Sequence, residues 1–191
     1  QACSVATESK LPGAILRRAL NAYLPPDIRV LRIDEAPHRF HAIRDAVRKT
    51  YRYQLQYGPT ANVLLRHHYW YLRRRLDVER MRIAAEHLKG THDFVSFQAI
   101  GGRRLSTIRT IHQLDLIERH IDGYDELWFL ISADGFLYNM VRIIVGSLVL
   151  IGLHRKPVDW LLQVMAARDR RSAGQTAPAY GLVLLQVDYE F

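Results

Sequence analysis

Cysteine occurs once in these 191 residues, at Cys3, so no disulfide can form within the chain and its fold must rest on a packed core. Long apolar runs are also scarce. The longest, around Ala133–Leu148, covers about sixteen residues and carries Asn139 and Arg142, short of the roughly twenty that a membrane helix requires. Zinc spacing is missing, because His67 and His68 are adjacent and Glu86-His87 has no second histidine four residues from the first. A glycine-rich phosphate loop is missing too; Gly101-Gly102 stands alone and reads as a turn. No Gly-x-Ser-x-Gly elbow is present. No stretch has the pattern of a signal peptide, a transit leader or a lipidation motif, and the expected compartment is the cytoplasm.

What the chain has in excess is positive charge. Lys and Arg number 27 against 19 Asp and Glu, a formal net charge of +8. A surplus of that size favours a polyanionic partner such as nucleic acid. The length suffices for one domain or two small ones with a real core.

One arginine stands apart from the rest. Arg142 sits in the run Phe136-Leu137-Tyr138-Asn139-Met140-Val141-Arg142-Ile143-Ile144-Val145-Gly146. Phe136, Leu137, Met140, Val141, Ile144, Leu148 and Ile151 cover one side at helical spacing, while Ile143, Val145, Val149 and Leu150 cover much of the other. Such a segment is a core helix. Many helical arginines merely snorkel to solvent, but this helix leaves little exposed face. Since a guanidinium taken out of water without a partner costs several kcal/mol, Arg142 is expected to clamp a carboxylate or phosphate.

Along the chain, a short strand is expected near Ala2–Ala6, then a helix opened by Pro12 with Ile15, Leu16, Leu20, Tyr23 and Leu24 as its apolar stripe. Arg29–Ile33 alternates with period two and reads as a half-buried strand, followed by a turn at Glu35–His38. Thr50–Tyr57 reads as a strand that Gly58-Pro59-Thr60 breaks, and the region from there to Arg75 as a loop holding the aromatic cluster Tyr69-Trp70-Tyr71. Asp77 is a good N-cap for a helix ending near Gly90. Ile108–Leu116 and Glu126–Ala133 read as two strands joined near Asp122-Gly123. The Arg142 helix follows, then a helix opened by Pro157 through Trp160, Leu161, Val164 and Met165, and a last strand at Leu182–Val187. This order points to an α+β fold, an antiparallel sheet with helices on one face.

Four segments in register carry a resemblance. Phe136–Gly146 resembles the last active-site motif of the tRNA pseudouridine synthase A family. Leu24-Pro25-Pro26-Asp27-Ile28, Phe40-His41-Ala42 and Arg48-Lys49-Thr50-Tyr51-Arg52-Tyr53 are similar to its central region, His92-Asp93-Phe94-Val95-Ser96-Phe97 to its middle motif, and Thr176-Ala177-Pro178-Ala179-Tyr180-Gly181-Leu182 to its closing motif. The family's nucleophilic aspartate lies in a Gly-Arg-Thr-Asp-x-Gly-Val-His segment near the N-terminus, and no such segment occurs in these residues. The chain is therefore expected to begin shortly after that aspartate, and none of its own aspartates has a matching context.

The resemblance implies the pseudouridine synthase fold of ferredoxin-like units, with residues 1–46 the remnant of the first α/β unit and 47–191 the second. It implies an isomerase that detaches uracil from ribose, rotates it and reattaches it through carbon, acting on uridines of the tRNA anticodon stem-loop without metal or cofactor. Arg142 corresponds to the arginine that pairs with the nucleophilic aspartate, and Tyr51 to the aromatic residue that packs on the flipped base. From composition alone Tyr51 would be a plain strand tyrosine. Lys49 and Arg52, beside it, are the expected substrate-binding cations. Other basic candidates for RNA contact are Arg44 and Arg48, Arg73-Arg74-Arg75, Arg103-Arg104, and Arg168, Arg170 and Arg171. The family commonly has an arginine directly after Phe-His-Ala, where this chain has Ile43 with Arg44 one place later. Further expectations are a homodimer, no membrane association, and a chain that is inactive by itself and less stable than one extended through the aspartate segment. The alternative is a non-catalytic RNA-binding relative.

Overall fold

The computed structural model describes residues 1–101 and 105–190, and they fall into two compact units. One is Val47–Asp188 with Gln1; the other is Ala2–Ala46 with the chain end from Tyr189.

In the smaller unit, helix α1 (Gly13–Tyr23) follows Pro12, whose carbonyl accepts the Ile15 and Leu16 amides at 2.8 and 3.1 Å. Proline is at home there because its missing N–H would have no helical acceptor anyway. No residue of α1 is buried. The strand expected at Arg29–Ile33 does not form. Its backbone is satisfied by a side chain instead: the Asn21 amide accepts from Val30 N at 2.8 Å and donates to Val30 O at 2.9 Å. An Asx amide offers the same donor and acceptor pair as a neighbouring strand, so no ladder is required. Ala2–Ala6 likewise forms no strand. The turn falls slightly later than expected, closed by Phe40 N on Pro37 O at 2.8 Å.

The larger unit is built on a six-stranded sheet, and its fold is α+β. Strands β1 (Ala46–Tyr57), β2 (Trp70–Leu72), β3 (Gly90–Asp93), β4 (Ile108–Ile121) and β5 (Tyr124–Ala133) lie in the order β2-β1-β5-β4-β3, and β6 (Leu182–Tyr189) pairs with β1. β4 and β5 form a long antiparallel hairpin whose two turn residues both have positive φ, Asp122 at 52° and Gly123 at 83°. Asp-Gly supplies that left-handed pair at low cost, and the resulting twist matches the strands.

One pairing departs from the antiparallel expectation. β2 runs parallel to β1, with Leu55 opposite Trp70 and Tyr57 opposite Leu72. Parallel neighbours need a crossover of a dozen residues or more, which the stretch 58–69 provides. The loop expected around Tyr69-Trp70-Tyr71 is therefore partly strand, and Trp70 is buried. β3 is a further strand that the sequence pattern does not predict; its four residues pair with the start of β4.

Alternation along the strands separates two faces. Tyr53 and Leu55 of β1, Leu127, Phe129 and Ile131 of β5, and Leu114 and Leu116 of β4 belong to the core, packed with helices α2 (Val78–Glu86) and α3 (Met140–Gly152). Asp77 caps α2 by accepting the Arg80 amide at 3.1 Å. α3 buries eleven of its thirteen residues. Burying side chains of this kind contributes about 1.5–3 kcal/mol each, so α3 is the main apolar anchor of the sheet. Helix α4 (Trp160–Ala167) follows a Pro157 turn and accepts Ser96 Oγ on the Val164 carbonyl at 2.7 Å. No helix among the described residues is long and apolar enough to cross a membrane.

Candidate active site

β5 ends at Ala133 and α3 begins at Met140. The connection is not helical, so Phe136 to Asn139 lie outside the helix the periodicity predicts. Asp134 is tied back to β4: its carboxylate accepts Thr110 N at 3.1 Å while its own amide donates to Thr110 O at 3.2 Å. Asn139 adopts φ 59°, ψ 11°, a left-handed conformation that asparagine tolerates better than most residues. That kink starts α3 and aims the Asn139 amide at the first helical turn.

Arg142 is the third residue of α3 and is half-buried. Its Nε donates to the Ala177 carbonyl at 2.6 Å and its Nη1 to Asn139 Oδ1 at 2.9 Å. Ala177 returns the bond, its amide donating to the Arg142 carbonyl at 3.1 Å. The buried anion expected for Arg142 is thus not within the described residues; two neutral oxygens hold the guanidinium, and Nη2 has no acceptor among those residues. Nη2 remains able to receive an anion without disturbing the other two bonds.

The segment that supplies Ala177 is itself fixed by close packing. Gly146 of α3 faces the Gln175 backbone so tightly that a Cβ would collide with its carbonyl oxygen. Ser147 Oγ donates to Ile143 O at 2.8 Å and accepts Gly174 N at 2.9 Å. Arg170 adds two bonds, to Gly174 O at 2.9 Å and Thr176 Oγ1 at 3.0 Å. Tyr53 Oη donates to Pro178 O at 2.8 Å, and burial, followed by Tyr180, pushes that phenol well above its usual range, with Arg142 acting in the opposite sense. Residues 174–178 are therefore pinned to α3 and to β1 at once.

Tyr51 sits two places before Tyr53 on the same face of β1, half-buried, with its ring edge-on to Phe136 at 5.1 Å between centroids. Burial raises its phenol pKa, so the ring acts as a neutral surface. Lys49 shares that face by alternation and has no partner among the described residues. Arg52 lies on the opposite face, with its guanidinium carbon 4.2 Å from the centre of the Trp128 ring and its Nε buried without an acceptor. Arg119 stacks on Trp128 at the same distance. The structure thus brings Tyr51, Phe136, Tyr53, Ala177 and Arg142 to one side and sets Arg52 on the other.

Several other basic candidates are already engaged. Arg44 is paired with Asp45 at 2.9 Å, Arg168 with Asp93 at 2.6 Å and Arg171 with Asp169 at 2.9 Å. Arg48 is exposed. Arg103 and Arg104 lie outside the described residues. Among the described residues no group of three His, Cys, Asp or Glu is placed to hold a metal ion. The supporting roles of Ala177, Tyr53 and Gly146 have no signature of their own in the sequence, although each lies within one of the motif segments.

A strand tyrosine on the same side of the sheet as an arginine in the first turn of the covering helix, on an α+β sheet of this order, is consistent with the pseudouridine synthase fold. A family model described as tRNA pseudouridine synthase matches residues 84–190. The chain is 39% identical over 183 residues to the tRNA pseudouridine synthase A of Ruminiclostridium cellulolyticum, covering 96% of this chain and 74% of that protein. It is 42% identical over 179 residues to the tRNA pseudouridine synthase A of Limosilactobacillus reuteri, covering 94% and 69%. A Thermoanaerobacter relative of the same name is 40% identical over 189 residues, covering 99% and 76%. The chain belongs to the tRNA pseudouridine synthase family.

Proposed function

We propose that this protein is a tRNA pseudouridine synthase of the A type, isomerising uridine to pseudouridine in the anticodon stem-loop, in the cytoplasm and as a homodimer. The observation that carries the reading is the posture of Arg142, held by Ala177 O and Asn139 Oδ1 with Nη2 left over, on the side of the sheet that carries Tyr51. Nη2 would receive the nucleophilic aspartate of a Gly-Arg-Thr-Asp segment, and the adjacent cation would keep that carboxylate ionised at neutral pH. The Tyr51 ring, edge-on to Phe136, offers an apolar surface for a base that has left its stack. Lys49 contributes an unpartnered cation on the same side for the backbone of the target nucleotide. Arg52 serves RNA through the other face, beside Trp128.

The 191 residues hold no Gly-Arg-Thr-Asp, so a polypeptide of these residues alone is expected to form no pseudouridine. The second reading is a non-catalytic RNA-binding relative, favoured by the excess of 27 Lys and Arg over 19 Asp and Glu. Incubating the protein with an unmodified tRNA transcript and measuring pseudouridine separates them. Product from a form extended through the aspartate segment supports the synthase; salt-dependent tRNA binding without product from that extended form supports the binding relative.

A further inference from the structure

Away from Tyr51 and Arg142, a cavity of about 350 Å³ opens between β2 and the second half of α3. Its floor is apolar, made of Leu72, Val149, Leu150 and Leu153. Around it stand Arg73 and Arg74, which follow β2, and Arg155, which follows α3. Among the described residues no acidic side chain lines it. None of the three guanidiniums has a partner among the described residues, unlike Arg44, Arg168 and Arg171. Three unneutralised cations from two elements distant in sequence therefore converge on one concave apolar surface.

The C-terminal end of α3 also points toward this region and contributes only about half a negative charge. Three arginines outweigh it, so the cavity is net positive. A simple anion would gain nothing from the four aliphatic side chains, and a plain apolar ligand nothing from the arginines. The lining fits a chain that alternates anionic groups with less polar rings. We propose that this cavity is a second binding site for tRNA, in which Arg73, Arg74 and Arg155 hold backbone phosphates while a ribose or base edge rests on the leucine and valine floor.

Position agrees with this use. Val149 and Leu150 follow Arg142 on the same helix by seven and eight residues, which at ~1.5 Å per residue puts the cavity roughly 10–12 Å further along α3. Gln175 at its margin belongs to the pinned segment that carries Ala177. One RNA strand could therefore reach both places across a single rigid element. The proposal rests on the chain being a tRNA-binding member of its family.

The test compares tRNA binding by this chain with that of the triple variant R73A/R74A/R155A and of a charge-matched control, K10A/R18A/R66A. All six residues are exposed, so folding is preserved, and matching melting curves verify it. Each phosphate that is no longer neutralised reduces the slope of log K against log salt by ~0.7–0.9. Between 50 and 200 mM salt the unmodified chain should thus lose roughly 20- to 40-fold more affinity than the triple variant does. The control should keep the original slope. If the triple variant and the control behave alike while the unmodified chain binds, the cavity is not a tRNA site, although the family reading stands. If the unmodified chain shows no salt-dependent binding to tRNA, the proposed site and tRNA binding by these residues fail together, while family membership, which rests on sequence identity, stands.

Discussion

Replacing Gly146 by alanine tests whether the packing beneath Arg142 is as tight as it looks. In an exposed helix interior Gly→Ala stabilises by ~1 kcal/mol, because alanine loses less backbone entropy on folding. Here the added Cβ collides with the Gln175 carbonyl oxygen, a backbone atom that no rotamer change can move. Overpacking of this kind costs ~1–3 kcal/mol. Pushing residues 174–177 away also lengthens Gly174 N to Ser147 Oγ, now 2.9 Å, and Arg142 Nε to Ala177 O, now 2.6 Å. Each such bond is worth on the order of 1 kcal/mol. The loss exceeds the helix gain, so Gly146→Ala should destabilise the larger unit by ~1–3 kcal/mol. With a urea dependence of ~2 kcal/mol per molar, the unfolding midpoint read by far-ultraviolet circular dichroism should fall by roughly 0.5–1.5 M. An unchanged or higher midpoint would show that segment 174–177 yields freely and does not fix Arg142.

Arg142→Ala leaves the fully buried Ala177 carbonyl without its side-chain donor, and chemical denaturation should show a loss of ~1–3 kcal/mol; Arg142→Lys should recover only part of it, because an ammonium cannot reproduce the fork. Tyr53→Phe removes the donor to Pro178 O and should cost ~1 kcal/mol in the same assay, with no loss if that phenol is dispensable. Asp93 is held below the usual carboxylate range, first by the Thr107 hydroxyl, with the Val95 amide and Arg168 adding to it. Its folded pKa is thus lower than the unfolded one, so its contribution is complete above the unfolded value of ~3.9 and is lost as pH falls through the folded value. Asp93→Asn should flatten the acid side of a stability–pH curve, and an identical acid limb in the variant would contradict this.

The parts of the fold that read directly from residues are those set by local chemistry. Asp77 announces α2, Asp122-Gly123 announces the β4–β5 turn, and the alternating tyrosines announce β1. β2 escapes because three residues carry no period of their own; Trp70 becomes strand only by pairing with Leu55 fifteen positions earlier. The opposite error arises at Arg29–Ile33, where a good strand pattern is satisfied by the Asn21 amide. At the site, Tyr51 and Arg142 are marked by motif, but the acceptor that holds Arg142 comes from a carbonyl 35 residues away, which no pattern reveals. Arg52 is grouped with Tyr51 by adjacency in sequence, and the two-residue period of a strand separates them.

The most direct measurement of the central claim is pseudouridine formation in an unmodified tRNA by three proteins: the 191-residue chain, the same chain extended N-terminally through a Gly-Arg-Thr-Asp segment, and that extended form carrying Arg142→Ala. Product is expected from the extended form only, with the Arg142 variant reduced by at least ~100-fold, since a single preorganised charge contact at a reacting group is worth about that much. Product from the 191-residue chain alone, or from the Arg142 variant at an undiminished rate, would contradict it.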